Sequence, residues 1–394
     1  MTTPTPTQPR DAGTDPRSGP LRMLFLNENL GGHATMHRAI RATIGAYPEV
    51  VATFVDVPPR GMIRRIAGAG IPPLDRLDLD FAALRSQLAV SLVARRLLRR
   101  FVGTYDLLHV YTQHAVLLSA ATLASTPTIV STDATGEQVS RLLPYRLPTR
   151  WTPLQNGVRS PLEQSVYDSA TLVVGKSQWC VESLRNDYEI PEAKLRRIPY
   201  GVVIPALVRR TPTPSGRPEV TFIGTTLARK GGDRLLRVYQ SRLADRADLN
   251  LVTREDVPDL PGVHVFRDFS PGDARLSEIL SRTSVLAFPT EMDTFGYAAL
   301  EAMAMAVPVV GTTLHALPEI VDDGTTGLLV APDDRELGDA LERLLGDEAL
   351  RLRMGQAARE RVIARFDAHR TTGELVALAY EARGRYGSHA PSPS

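Results

Sequence analysis

The sequence is almost without cysteine. Its 394 residues include one, Cys180, which cannot form a disulfide within the chain. Small secreted domains usually depend on several disulfides, so this composition gives no support for that class. A reducing cytoplasm is therefore the expected location.

Long apolar runs and an excess of one charge are also lacking. Residues 1–20 are rich in Thr, Pro, Gly and Ser without an apolar run, which argues against a signal peptide or membrane span there and predicts a disordered tail. The formal net charge is +2, so bulk electrostatics gives little reason to expect a nucleic-acid partner. The length and the 43% hydrophobic content favour two domains with sizeable cores.

Lysine is scarce among the basic residues. Of the 46 lysines and arginines, only Lys176, Lys194 and Lys230 are lysines. A lysine inside a motif is therefore more informative here than in an average sequence.

Short apolar runs alternate with segments of helical periodicity, which predicts parallel, doubly wound α/β sheets. The predicted strands are 21–27, 50–57, 106–111, 127–131, 171–174, 220–224, 249–252, 263–266, 285–288, 307–310 and 327–330. The Pro-rich segment 209–216 separates the two series and predicts a first domain at 21–205 and a second at 217–365. The last predicted helix, 371–386, is expected to pack back on the first domain, and 387–394 is expected to be a second tail.

The first motif with a clear chemistry follows the strand at 220–224. Gly224 and Thr225 begin a loop, and Arg229 and Lys230 precede a helix predicted from about Asp233. An arginine fork and a lysine point charge suit a diphosphate. The alternative is an ordinary solvated basic turn.

The second motif spans residues 288–304. Asp293 or Thr294 is the predicted N-cap of a helix that carries Glu301 two turns later, about 12 Å away at 1.5 Å per residue. One carboxylate can then meet the sugar and the other the ribose of an extended ligand. The backbone amides expected to face its phosphate are those of Phe295, Gly296 and Tyr297.

Together these segments resemble glycosyltransferase family 4, a resemblance that extends from about residue 21 to 385 and includes Arg197–Gly201 and Leu317–Val330. In that family a Gly-x-x-x-x-(Arg)-Lys-Gly stretch binds the donor diphosphate, and a Glu-x7-Glu pair binds sugar and ribose hydroxyls. Arg229 and Lys230 match the first pattern. Asp293 and Glu301 match the second, with Asp in place of the leading Glu and Glu291 as the alternative.

The resemblance implies a GT-B fold, in which two Rossmann-like domains face a cleft. It also implies retaining transfer from a nucleotide-diphospho-sugar to an acceptor hydroxyl, without a cofactor or a metal. A non-catalytic nucleotide-sugar-binding protein on the same fold is the alternative, and intact Arg229, Lys230 and Glu301 argue against it.

Each candidate residue in the first half of the chain has two possible interpretations. Gly31 and Gly32 resemble the family's first-loop glycines, which admit the donor phosphate, or they form a plain strand-to-helix turn. His109 resembles the His of a family Asp-x-x-His strand end, or it is a packed strand residue. The second His of that pattern is replaced by Tyr111, and His114 follows three residues later.

Asp133 follows the strand at 127–131, at the end where open α/β sheets build their sites. It is either a contact to the acceptor or the cap of the next helix.

Three other chemistries are disfavoured. Asp78 and Asp80 have an Asp-x-Asp spacing, but they open a predicted amphipathic helix far from the donor motifs, so no metal site is expected. The turn at Gly31 lacks the full Gly-x-Gly-x-x-Gly of a nicotinamide dehydrogenase. A pyridoxal-dependent phosphorylase needs a pyridoxal-binding lysine, and no remaining lysine has an obvious strand-end context.

The segment Leu84–Val102 predicts a basic amphipathic helix, with leucines at helical spacing. Its four clustered arginines are Arg95, Arg96, Arg99 and Arg100. It is either an ordinary helix packed on its sheet or a surface for weak contact with an anionic membrane, to which residues 60–65 add further arginines.

Overall fold

A computed structural model describes residues 19–28, 32–58, 62–72, 74, 79, 81–141, 151–206, 215–269 and 273–389. The chain forms two compact units. Of the described residues, those before 200 and those from 369 onward belong to unit 1, and residues 200–368 belong to unit 2. Each unit is built around one parallel sheet.

The sheet of unit 1 has six strands in the order β2-β1-β3-β4-β5-β6, all parallel. They are β1 (Leu21–Asn27), β2 (Val50–Asp56), β3 (Leu107–Tyr111), β4 (Thr128–Thr132), β5 (Leu172–Gly175) and β6 (Leu195–Arg197). β3, β4 and β5 are buried along their whole length. Such strands form continuous apolar runs, because helices cover both faces of a parallel sheet.

Within the described residues, seven helices lie between or beside these strands in the sequence. They are α1 (Gly32–Thr43), α2 (Met62–Ala67), α3 (Ala82–Leu98), α4 (Ala120–Ala124), α5 (Gly136–Arg141), α6 (Thr152–Ser169) and α7 (Gln178–Asn186). Short 3₁₀ helices occupy Ile44–Ala46, Arg99–Phe101, Gln113–Val116 and Glu192–Lys194.

The sheet of unit 2 repeats the scheme in the order β12-β11-β10-β7-β8-β9, again all parallel. The strands are β7 (Glu219–Ile223), β8 (Asp248–Val252), β9 (Val263–Phe266), β10 (Thr283–Phe288), β11 (Val309–Thr312) and β12 (Gly327–Val330). The helices are α8 (Leu227–Lys230), α9 (Gly232–Val238), α10 (Ala274–Arg282), α11 (Tyr297–Ala304), α12 (Leu317–Ile320), α13 (Asp334–Gly346) and α14 (Glu348–Phe366). A π-helical turn, Tyr239–Leu243, extends α9.

The helix α15 (Ala368–His389) follows unit 2 in the chain but belongs to unit 1 from His369 onward. The Thr372 hydroxyl is hydrogen-bonded to Thr43, and the Tyr47 hydroxyl donates to the His369 carbonyl. Leu375 and Ala379 are buried. Unit 1 is therefore discontinuous in sequence.

Two parallel doubly wound sheets are present, so the predicted fold class is confirmed. The three-residue strand β6 was not predicted, because it is too short to show a periodicity. The predicted domain boundary at 205 lies a few residues after the division at Pro199 and Tyr200. Tyr200 belongs to unit 2 because its ring packs edge-on against Phe295. Asp78 and Asp80 lie outside the described residues.

Candidate functional site

The order of the strands in unit 2 reverses between β7 and β10. β8 and β9 continue on one side of β7, whereas β10, β11 and β12 lie on the other. In open α/β sheets ligands bind at the carboxyl ends of the strands that flank this reversal. The two loops at that position are residues 224–226 with α8 after β7, and residues 289–296 after β10.

These loops bring the two sequence motifs of unit 2 together. The Lys230 ammonium group donates a short hydrogen bond to a carboxylate oxygen of Asp293. It also lies 5.7 Å from the centre of the Phe288 ring at the end of β10. Both members of the pair are largely but not fully buried, with 12% and 19% of their side chains exposed. The pair is therefore shielded from bulk water and still accessible to a ligand.

The backbone holds the pair in place. The Arg229 carbonyl accepts hydrogen bonds from the amides of Glu291 and Met292 at 3.2 and 3.3 Å. Gly231 follows with φ of 74°, and a Cβ atom there would lie 1.9 Å from the Pro289 carbonyl oxygen. Only glycine allows the end of α8 to approach the β10 loop so closely.

Gly224 has a related role at the start of the first loop. A Cβ atom at this position would lie 2.7 Å from the Phe222 ring and 2.9 Å from the Lys230 Cβ. The missing side chain therefore makes room for Lys230. Thr225, the next residue, is exposed.

The start of α11 differs from the prediction. The helix begins at Tyr297, and its N-cap is Gly296 with φ of 107°, so the predicted cap at Asp293 or Thr294 is wrong. Asp293 instead accepts the Phe295 amide at 3.2 Å within a loop. The 12 Å separation from Glu301, which assumed a continuous helix, does not apply to this geometry.

The side chains that flank Gly296 are anchored inside unit 2. The rings of Phe295 and Tyr297 both pack edge-on against Tyr200, and the Tyr297 hydroxyl donates to the Gly201 carbonyl at 3.0 Å. Burial, with smaller contributions from Asp293 and Tyr297, raises the pKa of Tyr200 well above its usual value. Tyr200 and Gly201 therefore support the second motif through contacts that no sequence spacing reveals.

Glu291, in the same loop as Asp293, has a different partner. The Glu291 carboxylate pairs with Arg234 of α9 at 2.8 Å. Asp293, by contrast, pairs with Lys230. Glu301 lies in the second turn of α11 and is partly buried.

In unit 1 the strand order reverses between β1 and β3. Gly31, in the loop after β1, lies outside the described residues, and Gly32 is the first residue of α1. Ionisable side chains surround Tyr111, the last residue of β3. The His33 ring packs edge-on against Tyr111 at 4.8 Å, and the Lys176 ammonium group lies over it at 5.8 Å.

Asp133, directly after β4, interacts with both His33 and Lys176. Its carboxylate lies 3.6 Å from His33 Nε2. Burial lowers the pKa of His33, but Asp133 and Glu28 raise it by more, so that the net pKa lies above 6.5. Burial lowers the pKa of Lys176 to about 8, although Asp133 opposes the change. We call Glu28, His33, Asp133 and Lys176 the unit 1 cluster.

His109 lies within β3, two residues before Tyr111. It is 1% exposed, its Nε2 is hydrogen-bonded to the Ser131 hydroxyl at 2.9 Å, and its ring packs against Phe25. Burial, together with the charges of Lys176 and His37, lowers its pKa well below 6.5. A catalytic role for His109 stays a prediction, and this environment favours packing.

His114 is tied to a buried carboxylate. Its Nε2 lies 2.8 Å from an oxygen of Glu163, which also accepts the Tyr188 hydroxyl and the Gly136 amide. Burial raises the pKa of Glu163, but the His114 bond and its charge, the Arg159 charge and the Tyr188 bond lower it by more. This network fixes the residues that follow β4.

Sequence analysis did not assign His33 or Lys176 to a site. The sequence shows that lysine is scarce, but it does not show which strands are neighbours. The side chains that surround Lys176, directly after β5, therefore could not be predicted. Among the residues that the structure describes, no three His, Cys, Asp or Glu side chains are grouped as metal ligands. No described helix has the length and apolar character needed to cross a membrane.

Two family models match this chain, and they meet close to the division between its two units. Residues 36–204 match the family model "Glycosyltransferase Family 4", and residues 217–347 match "Glycosyl transferases group 1". The D-inositol 3-phosphate glycosyltransferase of Corynebacterium aurimucosum is 36% identical over 165 residues. That match covers 41% of this chain and 39% of the relative, hence less than half of the relative's length.

Solved structures show the same architecture over nearly the whole chain. Sucrose-phosphate synthase from Thermosynechococcus elongatus superposes with a TM-score of 0.69 at 18% identity, covering 92% of this chain and 98% of that one. Anabaena HepE in complex with UDP and glucose gives 0.63 at 15% identity, covering 92% and 100%. At these identities the likeness establishes the fold, which is GT-B. Because the two family models match the two halves of the chain in order, the chain belongs to the family 4 glycosyltransferases.

Proposed function

We propose that the chain transfers a sugar, with retention of configuration, from a nucleotide-diphospho-sugar to an acceptor hydroxyl. The observation that carries this proposal is the Lys230–Asp293 pair at the strand reversal of unit 2. A cation and a carboxylate lie there side by side, where one ligand can present a phosphate to the first and a sugar hydroxyl to the second.

In this proposal unit 2 binds the donor. Lys230 and Arg229 bind the diphosphate, Asp293 binds the sugar, and Glu301 binds the ribose. The amides around Gly296, before α11, are placed to bind a phosphate oxygen. HepE has been crystallised with UDP and glucose, which supports UDP as the first nucleotide to test.

The proposed reaction breaks the bond between the sugar C1 and the diphosphate oxygen. The acceptor oxygen attacks C1 from the same face, and its proton passes to the departing phosphate oxygen. The protein contributes mainly by stabilising negative charge on the leaving group, through Lys230 and Arg229. The proposal assigns no step to a metal or a cofactor.

Unit 1 is proposed to bind the acceptor at the unit 1 cluster. Asp133 and Glu28 are hydrogen-bond acceptors for hydroxyl groups, and Lys176 and His33 are donors. Since the cluster combines two acids with two basic groups, it suits a polar, hydroxylated acceptor. The exposed arginines of α3 are further proposed to make weak peripheral contact with an anionic membrane.

The test is calorimetric titration of purified protein with UDP-, GDP- and ADP-sugars, followed by a transfer or hydrolysis assay with the sugar that binds. We expect one nucleotide class to bind and its sugar to be released or transferred, with and without EDTA. Binding without turnover would support the non-catalytic alternative. Loss of turnover in EDTA, restored by Mg²⁺, would support a metal site at Asp78 and Asp80.

A further inference from the structure

His315 has an unusual backbone conformation. It lies in the loop between β11 and α12 with φ of 56°, in the left-handed region. A side chain other than glycine is strained there, by roughly 1 kcal/mol or more. Such strain persists where the surrounding structure imposes it, and it is enriched at binding sites.

The loop that carries His315 adjoins the proposed donor site. β11 pairs with β10, so the loops that follow both strands leave the same edge of the sheet. The Thr312 hydroxyl, at the end of β11, donates to the Thr290 carbonyl in the Asp293 loop at 2.8 Å. The loop that carries His315 therefore begins beside the loop that carries Asp293.

The electrostatic environment agrees with this placement. Burial lowers the pKa of the partly buried His315 below 6.5, while Asp293 raises it and Lys230 lowers it. The imidazole is therefore mostly neutral at pH 7 and offers an N–H donor without adding charge.

We propose that His315 binds the donor, by donating a hydrogen bond from its imidazole to an oxygen of the diphosphate beside Lys230. This inference rests on the proposed function and adds a residue outside both sequence motifs. A neutral donor next to the Lys230 ammonium group can bind a phosphate oxygen without adding a second positive charge. The strain at residue 315 is then the cost of placing an imidazole where glycine would fit best.

Glycine substitution separates the backbone from the side chain. His315→Gly relieves the strain and removes the imidazole. Ala306→Gly is the matched control, because Ala306 has φ of 59° in the same unit, in the turn before β11 at the opposite edge of the sheet. His315→Asn keeps an N–H donor on a residue that tolerates this conformation.

The measurements are thermal midpoints and calorimetric dissociation constants for UDP, GDP and ADP. Both glycine variants should unfold at or above the wild-type midpoint. Of the two, only His315→Gly should lower the affinity for the nucleoside diphosphate that wild type binds, by roughly 10-fold. His315→Asn should recover part of this loss. Equal binding by wild type and His315→Gly overturns the inference and leaves the proposed function intact. If wild type binds none of the three, both are overturned.

Discussion

The Lys230–Asp293 pair must change its hydrogen bonds when a diphosphate approaches. In the structure the two side chains compensate each other in a largely buried position. A phosphate oxygen would compete with Asp293 for the ammonium group, and a sugar hydroxyl would replace the lost donor to Asp293. Donor binding is thus expected to be cooperative between the two ends of the ligand.

Replacing Lys230 or Arg229 with alanine should therefore reduce turnover strongly and leave the fold intact. The loss of one charge-assisted donor to the leaving group should cost about 3 kcal/mol, roughly 100-fold in rate. Steady-state kinetics with the donor identified by calorimetry measures the effect. Arg237→Ala is the control, because it removes an exposed cation of the same unit that pairs with Asp334. Wild-type rates in Lys230→Ala would remove this residue from the mechanism.

The buried ammonium group of Lys176 should make the free energy of unfolding depend on pH. Its pKa is about 8 in the folded protein and 10.5 in the unfolded chain. The unfolded state therefore binds more protons between these values, and the contribution of Lys176 to stability rises with pH across that window. Relative to Lys176→Met, wild type should gain roughly 2–4 kcal/mol between pH 7.5 and 10.5. Urea unfolding of both proteins at the two pH values measures this gain, and parallel pH profiles would contradict the assignment.

For single residues, the sequence predicted which residue types are important better than it predicted the contacts between them. Lys230 and Asp293 were identified from their motifs, although 63 positions separate them. The sequence left Asp293 and Glu291 as alternatives, and the structure adds that Asp293 pairs with Lys230 whereas Glu291 pairs with Arg234. The sequence did not point to His33, Lys176 or His315, because the neighbours of a residue that follows a strand depend on the order of the strands in the sheet.

Among the elements, α8 and α9 are arranged around a single glycine. Gly231 ends α8 and precedes α9, and the Pro289 carbonyl fills the space that its side chain would take. The position of Lys230 depends on this contact. Sequence periodicity predicted α9 but not the four-residue α8, which is too short to show a pattern.

Gly231→Ala should lower both stability and donor binding. Gly324→Ala is the control, because Gly324 also has φ of 74° but its Cβ would meet no atom within 4 Å. Both substitutions carry a backbone cost of about 1 kcal/mol, and only Gly231→Ala adds a collision that displaces Lys230. Thermal midpoints and nucleotide affinities of the two variants are compared. Equal effects would show that the close approach to Pro289 is dispensable.

The helix α3 and the 3₁₀ turn after it expose arginines in the predicted basic segment. Leu84 and Leu98 are buried, whereas Arg95, Arg96, Arg99 and Arg100 are exposed. The neighbouring α2 exposes apolar side chains, with Met62 76% and Ile66 68% exposed. Arg85 of α3 donates to the Ala69 carbonyl, just after α2, at 2.7 Å. Of the Arg-rich segment 60–65, residues 60 and 61 lie outside the described residues.

We expect weak, salt-sensitive binding to phosphatidylglycerol vesicles, since each arginine near an anionic surface contributes about 1 kcal/mol. Changing the four arginines of the α3 segment to glutamine should abolish sedimentation with vesicles at low salt. The control changes four exposed arginines of unit 2, at positions 254, 335, 353 and 365, and alters the net charge equally. If wild type stays in the supernatant, or if both variants lose binding alike, the α3 surface is not a membrane contact.

For the whole molecule, the two strand reversals locate the two candidate sites. The sequence predicted both sheets, because buried parallel strands form apolar runs that helices separate. It could not predict strand order, since nothing local distinguishes β10 from β8 as a neighbour of β7. The helix starts were also uncertain. Gly296, with a positive φ, is the N-cap of α11, so the helix begins later than the cap predicted from the sequence.

The discontinuity of unit 1 affects how the protein is made. During translation, β1 to β6 emerge first, but α15 follows only after the 169 residues Tyr200–Ala368 have been synthesised. At ~5–20 residues per second this delay is on the order of ten seconds. Unit 2 is contiguous and can collapse meanwhile, whereas nascent unit 1 must wait with the surface that receives Leu375 and Ala379 uncovered. A chain that stalls or is cut before His369 would leave that apolar surface available to chaperones and to other nascent chains.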